Sequence, residues 1–451
     1  MSSQETNGSE PGRNEIIREF TQAMDAMSRS GGKIYYFVAD PDAEEPLWGQ
    51  VLYSFEQMFK KNCSELLIIE MPKKYSERQD YGAINALIDR FASECYGIIK
   101  LVNAVEEPPK VFYHAGIYLA GNRDDDDPYI AKAAQNGMIV EDANLLCADY
   151  RELPFLTASG KRKPLVSICI PTHNRAAILV KTLDSIICQP EFGQGLVEIV
   201  ISDNCSTDDT ELVGRYYDQK YEGINYYRNK EDITGGNFNL ALERATGLLR
   251  KLNNDTCVHY PGSLAYMCEM VRRYACTKPV IYFGNVPPNA GDGEYLLLLK
   301  QFLMKETFHI TWISSFTIWD EDCKGIVGEY IDGEPFWQVR KTMELLEKRG
   351  AAAACDRGIM GALVNNKHYS GKLLWDIFHD DFFDIVGKYL SNQEKELIEM
   401  DLLFNHFGQI KLIHERNPVD LKLDDDFDEV MEEHYADKPY WADYLRIYGN
   451  Q

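Results

Sequence analysis

A chain of 451 residues is longer than one ordinary hydrophobic core serves, and at roughly 100 to 200 residues per domain it predicts two or three folded units. With 71 acidic against 47 basic residues its formal charge is -24, a field that repels phosphate backbones and argues against nucleic-acid binding. Its 11 cysteines include no C-x-x-C pair and read as reduced core residues, and no H-E-x-x-H or G-x-x-x-x-G-K-[ST] pattern occurs, which sets zincin and phosphate-loop chemistry aside.

In chain order, residues 1–14 are polar and predict a disordered tail. No apolar leader follows, so a cytoplasmic location is expected. The most apolar stretch, Tyr295 to Trp319, is interrupted by Lys300, Lys305, Glu306 and His309 and predicts no spanning helix. From Lys33 short apolar runs alternate with amphipathic ones: KIYYFVA, Leu47 to Lys61, ELLIIE, Gly82 to Ala104, then VFYHAGIYLA. That pattern predicts a β-α-β-α-β unit with a small parallel sheet, spanning residues 15–158 and passing the acidic turn Asp124 to Asp127. No G-x-G-x-x-G follows the first run, and DPDAEEP is acidic where a phosphate would need backbone N–H groups, so this domain reads as a packing or regulatory element of unknown function.

A linker at Ser159 to Pro164 leads into a second α/β alternation over residues 164–340: LVSICI, a helix from Ala176 to Ile187, VEIVIS, a helix from Asp208 to Tyr217, and INYY. Residues 341–451 turn helical, with apolar positions at three- and four-residue spacing over Lys341 to Arg349 and Phe382 to Phe407. Trp375, Phe378, Phe382 and Phe383 share that spacing and read as core. The fold class expected is α/β with a small α/β domain in front and a helical region behind.

Two strand ends carry chemistry. LVSICI runs into Pro171-Thr172-His173-Asn174-Arg175, and VEIVIS runs into Asp203-Asn204-Cys205-Ser206-Thr207-Asp208-Asp209-Thr210. Small molecules bind beyond the carboxyl ends of parallel strands, where loops present backbone donors and short side chains. Asn174 alone could be a helix cap, and Ser206 to Thr210 could cap the next helix. Asp203 is left over, a carboxylate able to accept from the N–H of a pyrimidine base.

The pair resembles the start of family 2 glycosyltransferases of the GT-A fold, whose first strand ends in P-T-x-N-R and second in D-N-x-S-x-D. Gly235-Gly236-Asn237-Phe238-Asn239 continues the resemblance as the family's G-G-x-x-N segment, and Ala245-Thr246-Gly247 precedes its D-x-D-type metal motif, which falls on Asn253-Asn254-Asp255. Carried over residue by residue, the resemblance implies a nucleotide-sugar site built by Pro171, Thr172, Asn174, Arg175, Asp203, Gly236, Asn239 and Asn254. It implies a divalent metal, Mn2+ or Mg2+, with Asp255 as the single carboxylate where relatives have two.

An inverting transferase also needs a carboxylate to take the proton of the acceptor hydroxyl. The candidates are Asp320 and Asp322, with Glu321 between them, and Asp332 with Glu334. The family's own position for that carboxylate falls on Lys341 to Met343, after the aromatic-Gln pair Phe336-Trp337-Gln338. Trp312, Phe316 and Trp319 offer a sugar-stacking platform, with core packing expected for at least two of them.

The function implied is transfer of a sugar from a nucleoside-diphosphate donor to a glycan or lipid-linked acceptor in surface-polysaccharide assembly. A lipid-linked acceptor would bring the chain to the inner face of the membrane, and self-association stays open. The competing reading, favoured by the incomplete metal motif, is a catalytically impaired GT-A-like subunit that serves as a binding or assembly partner.

Overall fold

In the computed structural model, which describes residues 32–43, 46–59, 65–94, 98–103, 116–121, 128–284, 293–331, 333–363, 367–419 and 421–449, the chain divides after Pro154 into two units, Met1–Pro154 and Phe155–Gln451. The expected tail and the acidic turn Asp124 to Asp127 lie outside the described residues, as does Asp332.

The first unit is a five-stranded sheet in the order β3-β2-β1-β4-β5, all pairs parallel. Its strands are β1 (Ile34–Val38), β2 (Leu66–Met71), β3 (Ile98–Asn103), β4 (Ile117–Ala120) and β5 (Ile139–Asp142), with helices α1 (Trp48–Phe59), α2 (Tyr81–Glu94), α3 (Pro128–Gln135) and α4 (Ala143–Ala148). β2 is buried along its whole length, as a parallel strand covered on both faces must be. Its one polar residue, Glu70, accepts hydrogen bonds from Tyr36 and, at 2.9 Å, from the Tyr129 hydroxyl. Burial holds that carboxyl above the usual range.

The single helix expected over Gly82 to Ala104 is two elements. α2 stops at Glu94 and the β-branched run IIKLVN becomes β3. Only the short stretch Ala92 to Gly97 separates the helical spacing of Ile84, Leu87, Ile88 and Phe91 from Ile98 and Ile99, so periodicity alone does not mark the boundary.

The second unit is built on a sheet ordered β13-β9-β6-β7-β8. β6 (Val166–Thr172) and β7 (Val197–Asp203) are buried over all seven residues each. β8 (Ile224–Arg228) and β9 (Leu249–Leu252) flank them, all four strands running parallel. Helices α5 (Ala176–Ile187), α6 (Thr210–Lys220) and α7 (Gly236–Arg244) connect them. Successive strands β6, β7 and β8 step one way across the sheet and β9 returns to the other side of β6. That reversal opens a crevice outside the carboxyl ends of β6 and β9, the place where open α/β sheets receive ligands.

β10 (Cys257–His259) and α8 (Ser263–Tyr274) follow, and β11 (Val280–Phe283), β12 (Glu294–Leu297) and β14 (Ala352–Cys355) form a second sheet in the order β11-β14-β12. β13 (Thr317–Trp319) runs antiparallel to β9, and β15 (Met360–Ala362) pairs with β10. α9 (Leu299–Glu306) and α10 (Trp337–Arg349) pack over a core that includes Leu242, Phe302, Ile318, Val339, Leu346 and Phe382.

The chain ends in helices α11 (Asn392–Leu402), α12 (Gly408–Arg416), α13 (Phe427–Tyr435) and α14 (Trp441–Tyr448) around Phe407, Tyr435 and Tyr444. Trp375 sits there between the rings of His379 and His434, at centroid distances of 3.8 and 3.6 Å. Among the described residues no helix is long and apolar enough to cross a membrane.

Candidate functional site

The crevice is closed by contacts between residues far apart in sequence. Thr172, last in β6, pairs across the sheet with Asp203, last in β7, and its hydroxyl donates to Asp255 Oδ2 at 2.8 Å. The Asp255 carbonyl accepts from Thr182 of α5 at 2.7 Å, and Asn254 N–H donates to Ser314 Oγ at 2.9 Å. The ends of β6, β7 and β9 therefore form one mouth. Burial raises the Asp255 carboxyl, opposed by the Thr172 hydroxyl and by the charge of Arg175.

The loop after β6 is stitched to the loop after β7. Asn174 takes a positive φ of 53°, which asparagine tolerates better than most residues. Its N–H donates to Ser206 Oγ at 2.9 Å, and its Oδ1 accepts from Thr207 N–H at 2.7 Å. Asn174 does not cap α5; that end receives Asp208 Oδ2 on Ala176 N–H from the neighbouring loop, at 3.2 Å. Cys205 and Thr234 also hold left-handed backbone, at φ 64° and 48°. Each of the three loops, after β6, β7 and β8, thus carries one residue in left-handed backbone.

Asp203 is fully buried. Its Oδ1 accepts from Ser206 N–H at 2.9 Å, its Oδ2 from the Tyr226 hydroxyl, and the Arg228 guanidinium stands 3.8 Å away. The carboxylate expected to meet a base already accepts from its own loop through Oδ1 and from β8 through Oδ2. Asn204, quoted in the second motif without a role of its own, is a hub. Its N–H donates to the Thr172 carbonyl at 2.8 Å, its Oδ1 accepts from Ile233 N–H at 3.0 Å, and its Nδ2 donates to Asp232.

Gly236 and Asn239, expected at the donor, meet protein. A Cβ built on Gly235 would stand 2.8 Å from the Tyr330 hydroxyl, and one on Gly236 3.3 Å from the same ring. The Asn239 amide donates to the Ile326 carbonyl at 2.7 Å. Their local partner is the segment Ile326 to Tyr330.

The structure separates Asp320 and Asp322 from the mouth, a correction to their candidacy as catalytic carboxylates. Because β13 runs against β9, pairing Thr317 with Lys251 and Trp319 with Leu249, whatever follows Trp319 emerges at the amino-terminal edge of the parallel strands. There Asp320 pairs with Lys163, and its N–H donates to the Leu248 carbonyl at 2.9 Å. Asp322 pairs with Arg349 and, at 2.6 Å, with Lys348. Burial of Glu321 is outweighed by Lys278 and Arg349, which hold its carboxyl down to about 2. The chain then climbs along α7 from Ile326 to Tyr330, back to the mouth. Glu334 pairs with Arg340, and Glu329 with Lys341; the latter two line a cavity together with Asp322 and Lys348. Of the aromatic platform, Phe316 and Trp319 are buried and Trp312 is half-buried.

Among the described residues no three His, Cys, Asp or Glu side chains are grouped to hold a metal ion. The donor set at Asp255 is one carboxylate with one oxygen already accepting from Thr172. That chemistry fits a hard dication only if diphosphate oxygens and water complete its shell. Behind the turn lies a buried polar network that sequence reading missed. Lys251, fully buried, donates from Nζ to the Leu252 carbonyl at 3.1 Å and to the Ser314 carbonyl at 2.5 Å. Burial pushes its ammonium down to about 7. His259, in contact with Asn253 at 3.0 Å, is pushed down to about 3 by burial and then by Lys251.

Residues 167–318 match the model described as glycosyl transferase family 2. Two curated relatives align with part of the chain. The GalNAc(5)-diNAcBac-PP-undecaprenol beta-1,3-glucosyltransferase of Campylobacter jejuni is 36% identical over 108 residues, 24% of this chain and 34% of the relative. The abequosyltransferase RfbV of Salmonella typhimurium is 40% identical over 85 residues, 18% of this chain and 25% of the relative. The chain thus spans about a third or less of the length of these relatives. Among solved structures, S. aureus TarS 1-349 aligns at TM-score 0.38 and 15% identity, covering 63% of this chain and 79% of that one. The mannosyltransferase PcManGT of Pyrobaculum calidifontis aligns at TM-score 0.31 and 18% identity, covering 51% of this chain and 67% of that one.

Proposed function

We propose, from the premise that residues 167–318 are a family 2 glycosyltransferase domain with a GT-A-like sheet, that the chain moves one sugar from a nucleoside diphosphate to an acceptor hydroxyl with inversion. The observation that carries this reading is the Thr172–Asp255 hydrogen bond of 2.8 Å, which joins the P-T and the N-N-D motifs in the crevice between β6 and β9. The names of the two relatives give an undecaprenol-linked acceptor and abequose transfer only for themselves, and a glycan or lipid-linked acceptor in surface-polysaccharide assembly is the corresponding proposal here.

In this reading the loops after β6 and β7, with Asn174, Arg175 and Asp203, hold the nucleotide, and Asn254 and Asp255 face the diphosphate. Asp255 would hold a divalent ion, which when bound offsets the charge of the departing diphosphate. The acceptor oxygen forms its bond to the anomeric carbon as the bond to the diphosphate breaks, the electron pair leaving with the diphosphate. The acceptor proton passes to a carboxylate on the opposite side. Asp332, on the stretch between Tyr330 and Trp337, is the proposed base, since Asp320 and Asp322 belong to the other edge.

Thermal unfolding of the full chain with UDP, GDP, dTDP and CDP, with and without Mn2+, tests the donor site; a nucleotide at 100 times its Kd adds about 2.7 kcal/mol. One nucleotide is expected to raise Tm in a metal-dependent way, and Asp255→Ala to abolish the shift. No shift with any of the four would sink the transferase reading and leave the impaired-subunit reading in its place.

A further inference from the structure

The G-G-x-x-N segment does something in this fold that its position next to the donor would not suggest. Gly235 has a φ of -65°, which any residue can adopt, so its lack of a side chain is not a matter of backbone freedom. It is a matter of space. The Tyr330 ring lies on Gly235 and Gly236 so closely that Cβ atoms there would meet it at 2.8 and 3.3 Å. Three residues on, the fully buried Asn239 holds the Ile326 carbonyl. Gly235, Gly236 and Asn239 are together a cradle for Ile326 to Tyr330.

Tyr330 is also tied sideways. Its hydroxyl is 3.2 Å from Thr234 Oγ1. Thr234 N–H donates to Asp232 Oδ1 at 2.8 Å, the same oxygen that receives the Asn204 amide, and Asn204 N–H donates to the Thr172 carbonyl. On the other flank, Gln338 donates to the Thr311 carbonyl at 2.9 Å, three residues before Ser314, which receives Asn254 N–H. The mouth is thus bordered by a belt of hydrogen bonds. The Tyr330 hydroxyl ends the run of hydrogen bonds through Thr234, Asp232 and Asn204 to Thr172, and seven residues further along the chain Trp337 begins α10, whose Gln338 holds Thr311.

We propose that Tyr330 is a positioning residue of the transfer reaction, which fixes the acceptor-side wall in register with the donor loops through the Gly235-Gly236-Asn239 cradle. The inference rests on the transferase reading above for its kinetic part and on geometry alone for its structural part. The proposed donor contacts lie on the loops after β6, β7 and β9 and not on Tyr330; removing its hydroxyl loses the one contact to Thr234 and leaves the Asp232–Asn204–Thr172 bonds in place, so nucleotide affinity is kept. Acceptor alignment depends on the opposite wall, and a displacement of an ångström there costs on the order of 100-fold in rate.

The test compares wild type, Tyr330→Phe, Gly235→Ala and the double variant Gly235→Ala/Tyr330→Ala as full chains, by amide hydrogen exchange, nucleotide titration and steady-state transfer. Tyr330→Phe is expected to speed exchange at Val327 to Tyr330 and at Ile233 to Asn237 together. It should keep nucleotide Kd and donor KM within about threefold and lower kcat by about 10- to 100-fold. Gly235→Ala should lower Tm, and adding Tyr330→Ala should restore Tm while kcat stays low, which separates alignment from folding. An unchanged kcat in Tyr330→Phe, or nucleotide affinity and kcat falling in step, overturns the proposal. So does faster exchange confined to one of the two segments. If wild type binds no nucleotide, the donor-site reading fails, and the paired exchange still decides whether the cradle couples the two segments.

Discussion

Cys205 shows how much a single backbone angle reveals. At φ 64° it occupies a conformation that costs a side-chain-bearing residue on the order of 1 kcal/mol and a glycine nothing. Cys205→Gly is therefore expected to raise stability by up to about 1 kcal/mol in urea unfolding, offset in part by the unfolded-state entropy of glycine. Lys251 is a second case. Its folded pKa near 7 lies below the unfolded value, so the unfolded chain binds the extra proton between about pH 7 and 10.5, and stability from this group rises with pH across that window. The stability of Lys251→Met relative to wild type should fall as pH is raised from 7 to 9.5, by up to about 1.4 kcal/mol per unit. A pH-independent difference in urea unfolding would show that the amine stays charged throughout.

At the scale of elements, Ala245-Thr246-Gly247 is fixed by one carboxylate. Glu198 accepts from Thr246 N–H at 2.5 Å and Gly247 N–H at 3.0 Å, and a Cβ on Gly247 would stand 2.4 Å from Ser167 Oγ. Gly247→Ala should cost about 1 to 3 kcal/mol by overpacking, read as a lower urea midpoint with an unchanged slope. Three of the four parallel strands of this sheet, β6, β7 and β8, were legible as apolar runs followed by polar loops, because burial writes itself into composition; β9, with the sequence Leu-Arg-Lys-Leu, was not. Nor was the direction of β13. Thr317, Ile318 and Trp319 have the same residue pattern whichever way the strand points, and that direction alone decides on which edge Asp320 and Asp322 emerge. The junction of α2 and β3 was hidden because helical spacing ran into a β-branched run. Thr172, Asp203 and Asp255 were singled out by motif and stand together at the strand ends, whereas Tyr330 and Ser314 carry no motif and come near them only through tertiary contact.

At the scale of the whole molecule, a charge of -24 makes self-repulsion a general load on the folded state. Raising ionic strength from 0.01 to 0.1 M shortens the screening length from about 30 to about 10 Å, and Tm is expected to rise over that range. A falling Tm would mean that the many surface ion pairs outweigh the repulsion. The edges of the β6-centred sheet should respond to mutation in opposite ways. Asp322→Asn breaks a pair in which both side chains are nearly buried, at 3% and 7% exposure, and should cost about 3 kcal/mol without changing transfer kinetics measured below the transition.

The antiparallel turn of β13 thus gives the sheet a keel. The ionic cluster of Lys163, Asp320, Asp322, Lys348 and Arg349 hangs beneath the strands, while the residues proposed for transfer lie at their other ends. Ballast can be exchanged without steering being touched: a library of charge swaps confined to the keel can be selected by heat alone, and its survivors can then receive changes at the mouth that the starting chain could not tolerate.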